Sequence, residues 1–117
     1  MITSDHCPID IENKQVEFDN ATYGTIGLES AFGALNQVLP LEVIIEKLIA
    51  GRSRFSTTKA TISEGEEANL SFFNPEAEYT FTKENILSTS KNAAFLDKKL
   101  KGKAYGVYAN KQLVINS

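Results

Sequence analysis

The 117-residue sequence contains one cysteine, one histidine, one methionine and no tryptophan. A single cysteine excludes a disulfide within the chain and fits a reducing compartment. No run approaches the ~20 apolar residues of a membrane span. The first residues also lack the basic and apolar regions of a signal peptide. We therefore expect a cytoplasmic protein without a membrane segment.

The charge balance is also unremarkable, with a net charge of −3 at pH 7. Together with 42% hydrophobic and 23% charged residues, it indicates a soluble globular chain without a general attraction to nucleic acid. The one basic cluster is KKLKGK at 98–103. No aromatic residues interleave with these lysines, so we interpret the cluster as a solvated turn and strand edge.

Two amphipathic helices are predicted in the first half of the chain. Apolar residues recur with helical spacing from Leu28 to Leu39, and Pro40 then breaks the pattern. Proline suits the first turn of a second helix, which Gly51 should end. The apolar face of this second helix is formed by Leu41, Ile44, Ile45 and Leu48. Glu29 should lie in the first turn of the first helix, where a carboxylate is favourable to the helix dipole.

The second half of the chain has the pattern of β structure. One strand is predicted over 68–73 and closed by Asn74-Pro75, and another over 79–82. Residues 83–97 are mostly polar and should form a loop anchored by Ile86, Leu87 and Phe95. The last fifteen residues alternate as a hairpin whose turn is Asn110-Lys111.

The chain begins with a short apolar stretch, Met1-Ile2-Thr3, that could be the end of a buried strand. An acidic segment without periodicity follows at 9–21, and we expect it to be a long loop. A strand end, a loop and two helices followed by strands alone do not form a complete fold. We therefore interpret the chain as two partial units.

Between the apolar start and the long loop lies TSDHCPID, which places Asp5, His6 and Cys7 side by side. Neighbouring side chains in an extended segment point in opposite directions, so these three cannot readily converge on one metal. From the residues alone, a polar turn closed by an aspartate side chain is favoured over a metal ligand.

Four ordered blocks together resemble the C-terminal part of dihydroorotases, a family of cyclic amidohydrolases. The blocks are TSDHCP, EFDNATYGTIGLES, GEEANLSFFNPEAEYTF and STSKNAAFLDKKLKGKAYGVYANKQLV. The corresponding family motifs commonly include T-x-D-H-A-P-H, G-x-x-G-L-E and S-K-x-N. The resemblance covers nearly the whole chain.

The resemblance implies an α/β plus β fold. In this family a distorted (β/α)8 barrel holds one or two zinc ions, and a small composite β-sandwich packs beside it. Residues 1–55 would supply the last strand, loop and helices of the barrel. Residues 56–117 would supply the C-terminal part of the β-sandwich. Since a barrel needs roughly 200 residues or more, the missing N-terminal barrel portion would come from a longer parent.

The resemblance also assigns site residues. Asp5 matches the aspartate that ligates zinc and takes a proton from the attacking water, and His6 matches a neighbouring position that orients it. Tyr23 and Gly24 match a stretch whose backbone lies against the substrate. Cys7 occupies a small, apolar family position, so we expect a buried structural thiol.

Two departures from the family pattern qualify this interpretation. No other zinc ligands are evident, and a catalytic zinc site takes three protein ligands, so the chain alone should be inactive. Ile9 replaces a histidine that helps to hold the substrate's carboxylate in the family, and isoleucine cannot donate a hydrogen bond.

Three functions therefore stay open. The leading one is the C-terminal segment of a zinc-dependent dihydroorotase-like hydrolase that opens dihydroorotate in pyrimidine biosynthesis. The second is a degenerate homologue that serves as an assembly partner, for instance of aspartate carbamoyltransferase. The third is a related hydantoinase or allantoinase. A homodimer is a further expectation, because an isolated segment would expose surfaces meant for neighbours.

Overall fold

The computed structural model describes residues 1–55 and 62–116, and it contains three α-helices and one three-stranded antiparallel sheet in those ranges. The helices are α1 (Leu28–Leu35), α2 (Leu41–Ala50) and α3 (Arg52–Phe55). The strands are β1 (Leu70–Thr80), β2 (Lys99–Ala109) and β3 (Gln112–Ile115), in the order β1-β2-β3. Short 3-10 helices occupy Ile11–Lys14, Phe18–Asn20 and Lys83–Asn85.

Both predicted long helices are present. The first ends at Leu35, earlier than its apolar pattern suggested, and Asn36 caps it. The side-chain amide of Asn36 donates to the carbonyl oxygens of Pro75 at 2.8 Å and Lys101 at 3.1 Å. Pro40 precedes α2 in an extended conformation, and Gly51 caps its C-terminus as predicted, although α3 follows at once.

The prediction of two separate strands over 68–82 is wrong. A single strand, β1, runs through Asn74-Pro75. Its register against β2 shifts between Phe72 and Phe73 and again between Asn74 and Glu78. Because β1 is an edge strand of the described sheet and Pro75 lies in a register shift, the missing proline N–H breaks no ladder hydrogen bond.

The C-terminal hairpin is confirmed. β2 and β3 pair over Gly106–Ala109 and Gln112–Ile115. The turn residues Asn110 and Lys111 both have positive φ, at 51° and 61°, as a two-residue hairpin turn requires. Apart from Lys98, which precedes β2, the lysine cluster lies within β2 rather than in a turn. Residues 99–103 pair with β1 on one side only among the described residues, so this stretch is a strand edge as expected.

The main core is small and lies between α1, the sheet and the loop after β1. Its buried members are Ile26, Phe81, Ile86 and Leu100. Ile26 comes from the first predicted unit and the others from the second, so the two share one core. Ile86 anchors its loop as predicted. Leu87 and Phe95 do not, because their side chains are 77% and 41% exposed.

Residues 1–10 form no strand among the described residues, so the expected strand end at Met1-Ile2-Thr3 stays a prediction for the longer protein. A barrel strand is defined by pairing with its neighbours, and no described segment pairs with this one; the backbone N–H of Ile2 instead donates to Lys47 O at 3.0 Å. The radius of gyration is 16.3 Å, whereas a compact domain of this length has about 13 Å. None of the helices in the described ranges is long and apolar enough to cross a membrane.

Candidate functional site

Three segments that are distant in sequence meet at the N-terminus of α1. They are residues 4–9, residues 23–29 and residues 88–94. The first carries Asp5 and His6, the second leads into α1, and the third is the loop before β2. They correspond to three blocks on which the family resemblance rests, and hydrogen bonds join each of them to the other two.

The backbone around Asp5 is fixed on both sides. The carbonyl oxygen of Ser4 packs so closely on Gly27 that a methyl group at Gly27 would lie 2.8 Å from it. After Asp5, the N–H of Cys7 donates to Thr25 O at 2.9 Å. Asp5 itself adopts a left-handed conformation with φ of 48°, which aspartate tolerates better than most residues. Asp5 is exposed, and the residues on both sides of it are anchored to residues 25–27.

The imidazole of His6 is bound to the start of α1. Its Nδ1 accepts hydrogen bonds from the backbone N–H groups of Gly27 and Leu28, both at 3.2 Å. These are among the N–H groups that a helix leaves without internal partners, so His6 acts as a side-chain cap from another segment. With Nδ1 as acceptor, the proton of the neutral ring lies on Nε2, which is 3.4 Å from Ser88 Oγ. His6 thus ties the segment that carries Asp5 to the start of α1.

Glu29 and Ser88 complete this cluster, and sequence reasoning did not connect them. Both the N–H and the hydroxyl of Ser88 donate to Glu29 Oε1, the former at 2.9 Å. Glu29 Oε2 lies 4.0 Å from His6 Nδ1, and its side chain is only 13% exposed. Burial acts to raise the pKa of Glu29, but the hydrogen bonds from Ser88, a backbone hydrogen bond and nearby His6 outweigh it, and the pKa is lowered.

The loop at 88–94 also holds the two other segments. The hydroxyl of Ser90 donates to Ile9 O at 2.7 Å. The side-chain amide of Asn92 donates to Gly24 O at 3.1 Å. The backbone carbonyl oxygen of Asn92 accepts from the N–H of Ile26 at 2.9 Å. The polar loop predicted from the sequence therefore contains an ordered stretch, residues 88–94, which we call the clamp because it holds both other segments.

Tyr23 and Gly24 lie beside this clamp. Gly24 has φ of 129°, and a methyl group there would lie 2.7 Å from Ile9 Cγ1 and 2.9 Å from Cys7 Sγ. The close approach that Gly24 permits is thus to the chain's own 7–9 segment. Tyr23 is 92% exposed. The expectation of a buried thiol at Cys7 is wrong: Cys7 is exposed, because its segment lies across the surface of residues 24–25.

The described residues do not assemble a metal centre by themselves. None of their histidine, cysteine, aspartate and glutamate side chains form a group of three or more that could hold an ion. The exposed carboxylate of Asp5 has the chemistry of one zinc ligand, since zinc accepts aspartate oxygen. Any further ligands would have to come from outside the parts of the chain described here.

No protein-family model matches the sequence. Curated relatives do: the dihydroorotase of Chlorobaculum tepidum is 31% identical over 121 residues, covering 97% of this chain and 28% of the relative. The dihydroorotase of Clostridioides difficile is 35% identical and covers 100% of this chain and 29% of the relative. That of Endomicrobium trichonymphae is 35% identical and covers 88% of this chain and 26% of the relative. The chain thus spans between a quarter and a third of the length of these relatives.

A solved structure agrees in fold. A D-hydantoinase (dihydropyrimidinase) from Thermus sp. superposes with a TM-score of 0.72 at 19% identity. The match covers 96% of this chain and 27% of that protein. The resemblance to a C-terminal segment of dihydroorotases is therefore confirmed in sequence, and the chain has the fold of a segment of a hydantoinase.

Proposed function

We propose that this chain, which matches a segment of dihydroorotases over nearly all of its length, is the C-terminal segment of a zinc-dependent cyclic amidohydrolase. The observation that carries the proposal is the convergence of residues 4–9, 23–29 and 88–94 around Asp5. Motif blocks that resemble one family separately in sequence are here one hydrogen-bonded unit.

Residues 1–55 would complete the barrel and residues 56–117 would contribute to the small β-sandwich. The extended shape of the chain supports a role as part of a larger fold, as does its exposed apolar surface. Large apolar side chains that are more than 70% exposed include Phe18, Val38, Phe55, Ile62 and Leu87. Such side chains are expected where the rest of a protein packs. Assembly as a homodimer or with aspartate carbamoyltransferase stays a prediction.

Asp5 is the proposed catalytic residue. Its carboxylate would serve as one ligand of a zinc site completed by the rest of the protein. Zinc, when bound, makes water more acidic and polarises the amide carbonyl. The Asp5 carboxylate accepts a proton from the water that attacks the ring amide, and it returns that proton to the leaving nitrogen as the ring opens. The anchored backbone on both sides of Asp5 suits this role, because proton transfer needs a fixed geometry.

The substrate class is a cyclic amide, and dihydroorotate is the proposed member. At position 9, isoleucine offers no side-chain donor for a substrate carboxylate, so another residue of the longer protein would have to bind it. The reported curated relatives are all dihydroorotases and do not favour the two alternatives, a degenerate homologue or a hydantoinase or allantoinase.

The test uses the longer protein that carries these residues, loaded with zinc and assayed for ring opening. We expect turnover of dihydroorotate and little turnover of hydantoin or allantoin. Asp5→Asn should lower kcat by about 10²–10⁴-fold, as loss of a general base does. Asp10→Asn is the matched control, since Asp10 is exposed and its side chain makes no capping hydrogen bond. Retention of most of the activity by Asp5→Asn would remove Asp5 from the mechanism. A wild-type protein that opens none of the three rings would contradict the hydrolase function.

A further inference from the structure

The cluster of His6, Ser88 and Glu29 lies beside the proposed catalytic carboxylate but does not include it. Three hydrogen-bonded links run in series: the α1 amides to His6 Nδ1, His6 Nε2 to Ser88, and Ser88 to Glu29. The three links form together only when His6 carries its proton on Nε2 and accepts at Nδ1, whereas Glu29 Oε2, which lies 4.0 Å from Nδ1, is buried without a hydrogen-bond partner among the described residues. The cluster therefore selects one ring orientation and one tautomer of His6.

The bonds that Glu29 accepts determine which atom donates and which atom accepts in each hydrogen bond of this series. Its Oε1 accepts from both the N–H and the hydroxyl of Ser88, so the Ser88 hydroxyl hydrogen is committed to Glu29. Ser88 Oγ can then only accept from His6, which requires the proton on Nε2. That leaves Nδ1 free to accept from Gly27 and Leu28. The other tautomer would set N–H against N–H at the start of α1, and a ring rotated by 180° would place the Cδ2–H group there instead of an acceptor.

The orientation of His6 bears directly on Asp5 because the two residues are adjacent. The turn has three attachments to residues 25–28: Ser4 on Gly27, the His6 ring on Gly27 and Leu28, and Cys7 on Thr25. The ring is the attachment nearest to Asp5 on its C-terminal side. If the ring is released, the Asp5 backbone loses that restraint while the other two remain.

We propose that Ser88 and Glu29 are positioning residues that hold the His6 ring in one tautomer and thereby fix the direction of the Asp5 carboxylate. This inference rests on the proposed function of Asp5. It gives the loop at 88–94 a part in the active site that acts through His6 and needs no contact with the substrate. Loss of such supporting hydrogen bonds typically costs about 10–100-fold in activity or metal affinity.

The first test is independent of activity, because His6 is the only histidine in these 117 residues. With ¹⁵N-labelled histidine, the chain should give one imidazole signal pair, with Nε2 protonated and Nδ1 unprotonated at a pH where the ring is neutral. Ser88→Ala should release the ring from the α1 amides, so that both tautomers are populated, and Ser88→Thr should restore the wild-type spectrum. Thr89→Ala is the matched control, since Thr89 is an exposed neighbouring hydroxyl. A wild-type ring protonated on Nδ1, or one unaffected by Ser88→Ala, would overturn the inference.

The second test uses the longer, zinc-loaded protein. Ser88→Ala and Glu29→Ala should each lower kcat about 10–100-fold with little change in KM, because the proposed role of the cluster is to position Asp5 and not to bind substrate. Ser88→Thr should recover most of kcat, which a general loss of folded protein would not predict. Unchanged kcat in both alanine variants overturns the positioning role while leaving the hydrolase proposal intact. Inactivity of the wild-type protein contradicts the hydrolase proposal, and the tautomer measurement then still decides whether the cluster holds His6.

Discussion

Gly102 in β2 lies directly under the ring of Phe32 in α1. A methyl group at Gly102 would lie 2.8 Å from Phe32 Cε1 and 3.0 Å from the Asn36 amide nitrogen. On the other side of the contact, a methyl group at Gly33 would lie 3.0 Å from Leu100 Cβ. A methyl group at Gly33 would also lie 3.2 Å from the backbone oxygen of Gly102, so the absence of two side chains lets the helix approach the sheet closely.

Gly102→Ala should destabilise the chain through both strain and overpacking. Its φ of 104° is unfavourable to alanine, and the ring of Phe32 would have to move. Overpacking of this kind typically costs about 1–3 kcal/mol. Gly65→Ala is the control, because Gly65 also has positive φ, at 89°, but nothing lies within 4 Å of the added methyl. Urea denaturation should show a larger loss for Gly102→Ala, and equal losses would mean that the helix–sheet contact is looser than described.

Asn36→Asp should weaken the attachment of α1 to the sheet. The change keeps the shape of the side chain but replaces an amide that donates to Pro75 O and Lys101 O by an acceptor facing two acceptors. Leaving a buried acceptor without a donor typically costs about 1–3 kcal/mol, and the two carbonyls here are part-buried. Gln37→Glu removes a similar bond to Lys99 O from an exposed position, where changes usually stay within about 0.5 kcal/mol. Equal unfolding free energies for the two variants would contradict a special role for Asn36.

Alkaline pH should destabilise the chain through Tyr79. Burial raises the pKa of Tyr79 above its ordinary value of 10.0, so the folded state favours the neutral phenol. The corresponding stability is fully present below pH 10 and is lost as the pH rises through the raised pKa. Tyr79→Phe should remove this part of the pH dependence, whereas Tyr23→Phe, at an exposed position, should keep it. The measurement is the unfolding free energy between pH 9 and pH 12, and indistinguishable slopes for the two variants would contradict the assignment.

Acid pH should destabilise the chain through Glu29. Burial acts to raise the pKa of Glu29, yet the hydrogen bonds from Ser88 and the nearby His6 prevail and hold it below the ordinary 4.5. The folded state thus favours the carboxylate, and this contribution is present above pH 4.5 and lost as the pH falls through the lowered pKa. Glu29→Gln should flatten the stability curve in this window. Glu42→Gln alters the same helical position in α2 and should not. A curve for Glu29→Gln that parallels the wild type would show that another group carries the acid dependence.

Local patterns predicted the elements that local forces determine. The helical spacing around Phe32 and Ile44 and the Asn110-Lys111 turn each depend on a few neighbouring residues, and α1, α2 and the hairpin are present. Pro75 was misread as a strand end, since its tolerance depends on a register shift against β2 and on Asn36 from a distant helix. The spacing of apolar residues along the sequence carries no information about such a contact.

In the candidate site, too, the sequence predicted the local features and missed the contacts between distant residues. The family resemblance identified the blocks around Asp5 and His6, but the role of Asp5 in catalysis stays a prediction. The partner of His6 lies 82 positions away, at Ser88. Glu29 was expected in the first turn of α1, where it is, yet its bond to Ser88 depends on how the loop after β1 folds back. Cys7 was expected to be buried because of its family position, and only the path of the chain over Gly24 shows that it is exposed.

The clamp at 88–94 holds both the Asp5 turn and the segment that leads into α1. Substitutions in one of these stretches should therefore require matching substitutions in the others. A recombinant that joins the first sixty residues of one relative to the tail of another would take the Asp5 turn from one parent and the positions of Ser88, Ser90 and Asn92 from the other. Crossovers within the tail, between β2 and β3, should be tolerated far better, since they leave the whole clamp on one parental side.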